Sequence, residues 1–223
     1  MATKMRLTNI NIVNLLHEPG YEEIQAHFSK RRVVKNEMIC APGDGVNHVF
    51  IVRSGRVRVF LSYDEKEFTL AFLEPGDIFS THTRAFVQAT EGSSILITSV
   101  KQFQKDVARH PEFALIMVKV LGEVLQNSFD IVEGLVFMDS RMRLIEFLIT
   151  AAEERGSAEG DGVTLELGLS VEDLSRLVGT ARQTVSVVLN KLTRDGYIDR
   201  VRKGVYHIAD FTRFKELGRK FEV

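Results

Sequence analysis

The chain has 223 residues, of which 44% are hydrophobic and 26% charged, with a formal net charge of −1. That is long enough for one or two globular domains. A single cysteine, Cys40, excludes an internal disulfide framework and any iron–sulfur cluster held by four cysteines of one chain, and it suits a reducing compartment. The N-terminal MATKMRLTN lacks the apolar core of a secretion signal, and no run approaches the roughly 18 uncharged apolar residues that a membrane span needs, so a cytoplasmic protein without a membrane segment is expected.

At the N-terminus Ala2 is small, so Met1 is expected to be removed, exposing an α-amino group. Such an amine has a pKa of about 8 and binds metals once deprotonated; taken alone, the segment reads as a frayed end. Asn9 to Leu16 and Tyr21 to Phe28 suit short helices interrupted at Pro19-Gly20. From Arg32 to Ser99 the apolar period becomes two. Val33-Val34, Met38–Cys40, Val49–Val52, Arg56–Leu61, Glu67–Leu73, Ala85–Ala89 and Ile95–Thr98 are strand candidates, with turns at Pro42–Gly45, Ser54-Gly55, Asp64-Glu65 and Pro75–Asp77. Many short strands with regular turns predict an antiparallel β-roll, or jelly roll, able to hold a small ligand.

His110-Pro111-Glu112 opens a long helix, proline standing where its missing N–H costs nothing. Met117, Leu121, Val124, Ser128, Ile131 and Leu135 step by four and three alternately, a heptad seam over about three heptads ending near Phe137. No other predicted helix matches it in length, so the expected partner is a second copy of the chain in a parallel homodimer; packing of the helix against its own domain is the alternative. Met138-Asp139-Ser140 reads as a hinge, Arg141 to Glu154 as an amphipathic helix with Met142, Ile145, Leu148 and Ile149 on its apolar side, and Gly156 to Gly162 as a loop before a strand at Val163–Leu167.

Leu169 to Leu192 reads as two short helices joined at Gly179, which can take the positive φ of a sharp turn. Ser170 with Asp173 forms a weak capping box, and Ser175 leaves room for the helices to cross. The second helix carries Arg182, Gln183, Thr184 and Ser186 near its N-terminal end. Arginine forks onto guanine, glutamine onto adenine, and hydroxyls reach phosphates or bases. An ordinary helical hairpin with a polar outer face is the alternative. The C-terminal segment favours DNA reading: Tyr197–Val201 and Val205–Ile208 alternate around Lys203-Gly204 as a small wing, with Phe211–Phe221 a terminal helix. Residues 170–223 hold 11 Lys and Arg against 7 Asp and Glu, so the basic end is the reading end of an otherwise acidic chain. The expected fold is α+β: a β-roll effector domain (1–110), a dimerisation helix (111–137) and a winged helix-turn-helix domain (138–223) that places two reading helices about one DNA turn apart on a palindrome.

FIVRSGRVRVF, LEPGDIF and SRLVGTARQTVSVVLNKL, in that order, resemble the CRP/FNR superfamily of bacterial transcription factors along the whole chain. The resemblance implies a transcriptional regulator and no enzyme. Cyclic-nucleotide receptors of this superfamily use a glycine-glutamate stretch ahead of an Arg-Ser-Ala segment. Here about six residues separate Gly76-Asp77 from Arg84-Ala85-Phe86 and no such glutamate occurs, so the nucleotide cradle looks deleted. The oxygen sensors need four cysteines and one is present.

The remaining match is with the carbon monoxide-sensing haem branch, through the short N-terminus, GRVRVFLSYDEKEFTLAFLEPGDIFSTHTRAF, VKVLG and GTARQTVSVVLN. That resemblance implies one haem b per subunit, with His82 as one iron ligand and the amino nitrogen of the partner subunit's Ala2, displaced by carbon monoxide, as the other. It places Leu121, Gly122 and Leu125 beside the bound gas, and RNA polymerase among the partners. Taken alone, Leu121 and Leu125 read as core or seam residues, and His82 as a hydrogen-bonded structural histidine. Some relatives carry cysteine at the Ser80 position, whose thiolate binds ferric iron; serine is a poor ligand, so His82 is expected to stay bound in both oxidation states. Cys40 reads as core. A regulator of the same family answering to another gas or to a small organic effector remains the alternative. A cupin-type metalloenzyme is disfavoured because His17, His27, His48, His82, His110 and His207 form no His-x-His pair.

Overall fold

The structure, a computed structural model, describes residues 7–45, 47–160 and 162–219, and the chain divides into two compact units that meet within one helix, after Ser128. Ala2, expected at the metal, and Phe221 of the terminal helix lie outside the described residues.

The N-terminal unit begins with two short helices, α1 (Ile12–Leu15) and α2 (Glu22–Ala26), each shorter than the sequence suggests. Eight strands follow: β1 (Ser29–Val33), β2 (Met38–Cys40), β3 (His48–Ser54), β4 (Val57–Tyr63), β5 (Lys66–Leu73), β6 (Ile78–Ser80), β7 (Phe86–Ala89) and β8 (Ser93–Ser99). They form two four-stranded antiparallel sheets, β1-β8-β3-β6 and β2-β7-β4-β5. Side chains of both enclose one core: Val33, Phe50, Val52 and Ile95 from the first, Cys40, Val57, Val59, Leu73 and Val87 from the second. The opposite face of β3 is buried too. Val49 and Ile51 alternate with Phe50 and Val52 and join Ile12, Leu16, Ile24 and Ile78 in a second cluster under the helices. A strand covered on both faces reads as an unbroken apolar run, as Val49–Val52 does.

Helix α3 (Val100–Arg109), unforeseen from the sequence, leads into α4 (Pro111–Phe137), which at 27 residues is the longest element. Phe113 is fully buried against Tyr21 and Phe103, and Val120, with Met117 and Val124 partly buried beside it, packs on the second cluster. Of the predicted seam, Met117 and Val124 instead face the roll of their own chain, whereas Leu121 and Leu135 are exposed, as are Val118, Leu125, Phe129 and Val132 among others. A helix that is apolar on two sides buries one and leaves the other available.

After a break at Met138-Asp139, helix α5 (Ser140–Arg155) starts with Asp139 as its N-cap, the carboxylate accepting from Met142 N–H at 2.8 Å. Then come β9 (Ser157–Glu159), inside the predicted loop, β10 (Gly162–Glu166), α6 (Val171–Val178), α7 (Arg182–Arg194), β11 (Asp199–Arg202), β12 (Val205–Ile208) and α8 (Phe211–Arg219). The strands form one antiparallel sheet in the order β11-β12-β10-β9. Met142, Ile145, Leu148 and Ile149 of α5 are buried as expected, and so are Leu144, Phe147, Ala151 and Ala152.

Candidate functional site

The residues singled out in the sequence fall into two groups, one in each unit. In the roll, Pro75-Gly76-Asp77 delivers β6 to its place. Gly76 has φ +103° and a side chain there would strike that of Asn11 at 2.5 Å, so only glycine fits. Asp77 is fully buried, and its carboxylate accepts from Glu74 N–H at 2.8 Å and from the Thr8 hydroxyl at 3.3 Å. Beyond β6 the chain turns through residues 81–85 straight into β7.

His82 stands exposed on that turn. The turn is fastened on two sides: Thr81 N–H donates to the carbonyl of His48 at 2.9 Å, His48 N–H donates to Thr81 Oγ1 at 2.8 Å, and the Cys40 thiol lies 3.5 Å from the carbonyl of Thr81. His82 Nδ1 is 2.5 Å from Ser80 Oγ, and Nε2 makes no hydrogen bond among the described residues. The imidazole borders a cleft of about 220 Å³ lined by residues 41–45, Asn47 and residues 81–84.

Leu121 (67% exposed), Gly122 and Leu125 (51% exposed) do not line that cleft; they lie on the exposed side of α4, and a methyl group added at Gly122 would meet no atom within 4 Å. One protomer therefore does not by itself gather the three residues around His82. The donor set fits a porphyrin better than a bare metal. No group of three or more His, Cys, Asp and Glu side chains able to hold an ion occurs among the described residues. A porphyrin brings its own four nitrogens and asks of the chain only axial ligands and apolar surface; His82 offers an accessible Nε2, while the cleft beside it is lined by small and polar residues and the exposed leucine stripe of α4 lies apart from it in one protomer. At Cys40, burial pushes the thiol up from its ordinary value, Asp44 adds to this, and the hydrogen bond with Thr81 opposes it.

In the C-terminal unit α6 opens on a complete capping box: Asp173 N–H donates to Ser170 Oγ at 3.1 Å and Ser170 N–H to the Asp173 carboxylate at 2.9 Å. It ends at Gly179 in the left-handed conformation (φ +66°), which turns the chain sharply into α7. Val185, Val188, Leu189 and Leu192 bury one face of α7. Arg182 and Gln183 are exposed at its start, Thr184 and Ser186 half-buried, and Asn190, Lys191 and Arg194 exposed further along. The N-cap residue Ala181 offers no side-chain acceptor, and no side chain caps the first N–H groups of α7 among the described residues.

Val187, 60% exposed on the outward face between Gln183 and Asn190, escaped the sequence reading because a valine in VSVVL counts as core. The helical period could have separated it, since it falls four residues after Gln183 and out of phase with Val185, Val188 and Leu189. The wing carries exposed Arg200, Arg202 and Lys203 around Gly204 (φ +73°), with Arg202 bridging Glu166 at 2.7 Å.

The sequence matches the model of the cyclic nucleotide-binding domain over residues 30–110 and that of the Crp-like helix-turn-helix domain over residues 142–217. Among solved structures the chain is similar to a doubly substituted CooA from Carboxydothermus hydrogenoformans, at 46% identity and a TM-score of 0.92, covering 97% of this chain and 100% of the other. It is similar to the CO-dependent transcription factor CooA of the same organism in its imidazole-bound form, at 47% identity, the same coverage and a TM-score of 0.54. The reduced (FeII) CO-sensing protein from R. rubrum is 30% identical, with 94% and 99% of the two chains covered and a TM-score of 0.54.

Proposed function

Since the chain belongs to the CooA group of the CRP/FNR superfamily of DNA-binding transcription regulators, we propose that it is a haem-dependent carbon monoxide sensor that activates transcription as a homodimer on palindromic DNA. In this reading residues 1–110 form the sensing roll, 111–137 the dimerisation helix and 138–223 the DNA-reading domain. The observation that carries it is His82, held by one ring nitrogen and open at the other, in a chain 46% identical over nearly its whole length to CooA.

When bound, one haem b per subunit would supply a ferrous iron able to bind a neutral diatomic such as carbon monoxide. His82, fixed on a turn pinned to β3, would hold that iron through Nε2. The amino nitrogen of the partner subunit's Ala2 would be the second and weaker donor, an amine that a neutral diatomic could replace. Leu121, Gly122 and Leu125 sit on the face of α4 that a second protomer would cover, so the apolar wall beside the gas is completed in the dimer. Freed of the tail, the exposed α4 stripe repacks, and the Met138-Asp139 break is where the reading domains turn. Arg182 then meets a guanine and Gln183 a neighbouring base in successive major grooves, with Thr184 and Ser186 near phosphates or base edges. A complete inversion of such a switch asks the gas to favour the active state by about 5.5 kcal/mol. An activating surface that meets RNA polymerase completes the proposal.

The test is spectroscopic. Full-length protein produced with haem supplied should show a Soret band that shifts when the ferrous form meets carbon monoxide, and His82→Ala should lose stable haem while remaining a folded dimer. Colourless protein under those conditions would return the chain to a regulator with another effector.

A further inference from the structure

We propose that Ser80 is a positioning residue for His82, holding the imidazole as its Nδ1–H tautomer so that the Nε2 lone pair is free for iron. The proposal rests on the haem reading and adds to it a role for a residue that the resemblance marks only as a missing cysteine. Ser80 is the last residue of β6, with Oγ 2.5 Å from His82 Nδ1 and 3.3 Å from the carbonyl oxygen of His48. A serine hydroxyl has one proton to give and can also accept, whereas a carbonyl can only accept. With the hydroxyl proton directed to the His48 carbonyl, the contact with the ring is made by Nδ1–H donating to Oγ, and this is the arrangement the proposal assigns.

The acceptor that orients the hydroxyl is itself fixed. His48 is paired to Thr81 in both directions, by Thr81 N–H on its carbonyl at 2.9 Å and by its own N–H on Thr81 Oγ1 at 2.8 Å. The relay thus runs from the β3 backbone through Ser80 to the ring. A histidine that binds a metal through one nitrogen almost always donates the other N–H to an oxygen, which fixes the tautomer and raises the basicity of the ligating atom. Serine does this where cysteine could not: a thiol is a weak donor and acceptor, and its thiolate is itself a metal ligand.

The test compares full-length wild type, Ser80→Ala and Ser80→Thr. In the haem-free chains labelled with ¹⁵N-histidine, long-range ¹⁵N–¹H correlation, with His82 assigned from His82→Gln, should show the Nδ1–H tautomer in wild type and Ser80→Thr and the Nε2–H tautomer in Ser80→Ala. In the haem-loaded chains, transfer of haem to apomyoglobin should be about 10- to 100-fold faster for Ser80→Ala and near wild type for Ser80→Thr. An Nε2–H tautomer in the wild type overturns the proposal, as does a Ser80→Ala protein unchanged in both tautomer and haem transfer. Wild type that takes up no haem removes the sensor reading instead, and the tautomer of the haem-free chain still decides the role of Ser80.

Discussion

The guanidinium of Arg143, in the first turn of α5, donates from Nε to the carbonyl of Val178 at the end of α6, at 2.7 Å. Its Nη1 donates to the carbonyl of Met138 at 2.7 Å and its Nη2 to that of Gly179 at 3.4 Å. One cation thereby satisfies carbonyls at the C-terminal ends of α4 and α6, where the helix dipoles favour positive charge. Burial pushes this guanidinium below its ordinary value and Asp139 pulls it back up; it stays charged at any working pH. Arg143→Ala should destabilise the C-terminal unit by about 2 kcal/mol and weaken operator binding with it, as read by thermal unfolding and by titration with operator DNA. Arg143→Lys keeps the charge but loses the fork, and should recover only part.

The outward face of α7 predicts two kinds of DNA effect. Gln183→Ala should cost about 1–3 kcal/mol at one base position and relax preference there, whereas Lys191→Ala should weaken all sequences alike and reduce the salt slope by about 1. Val187 offers an apolar contact to a thymine methyl group. Uracil in place of thymine in the half-site should weaken the wild type and leave Val187→Ala, already weakened, insensitive to the exchange; binding titrations against the substituted operators measure both.

Both units were legible where local chemistry decides. Ser170, Asp173, Gly179 and the Lys203-Gly204 turn fix their surroundings through a few neighbouring bonds, and each stands in the structure as its residue type demands. Strand β6 was missed because three residues give no period, and their place is set by the pairing of Ile78, Phe79 and Ser80 with Ile51, Phe50 and Val49 of β3. The two sides of α4 were confused for a related reason. A helix with apolar residues nearly all round, such as Met117, Val118, Val120, Leu121, Val124 and Leu125, does not say which side its own chain will cover. That Ser80 touches His82 was equally hidden, since it depends on how the turn folds back beside β3.

The exposed stripe on α4 gives a prediction for assembly. Leu125→Glu with Phe129→Glu replaces two side chains that are already accessible in the protomer, so the folded protomer should survive with an unchanged far-ultraviolet spectrum. Sedimentation should show the mass fall from dimer to monomer, and operator affinity should drop at least about tenfold, or 1.4 kcal/mol.

Cys40 is 4% exposed, and its thiol is held above its ordinary value of 9.0, chiefly by burial. A raised thiol value means less thiolate at a given pH, so iodoacetamide at pH 8 should modify the folded chain far more slowly than the chain in urea. The stability that the buried thiol contributes is whole below pH 9.0 and is lost as pH rises through the raised value. Cys40→Ala should therefore show a shallower alkaline loss of stability than the wild type, as read by urea unfolding across that pH range.

Operator binding by the haem-loaded, dithionite-reduced protein under argon and under carbon monoxide tests the sensor most directly. The account predicts tight, sequence-specific binding only under carbon monoxide, with the difference abolished in His82→Ala. Equal affinity under both gases in the wild type would contradict it.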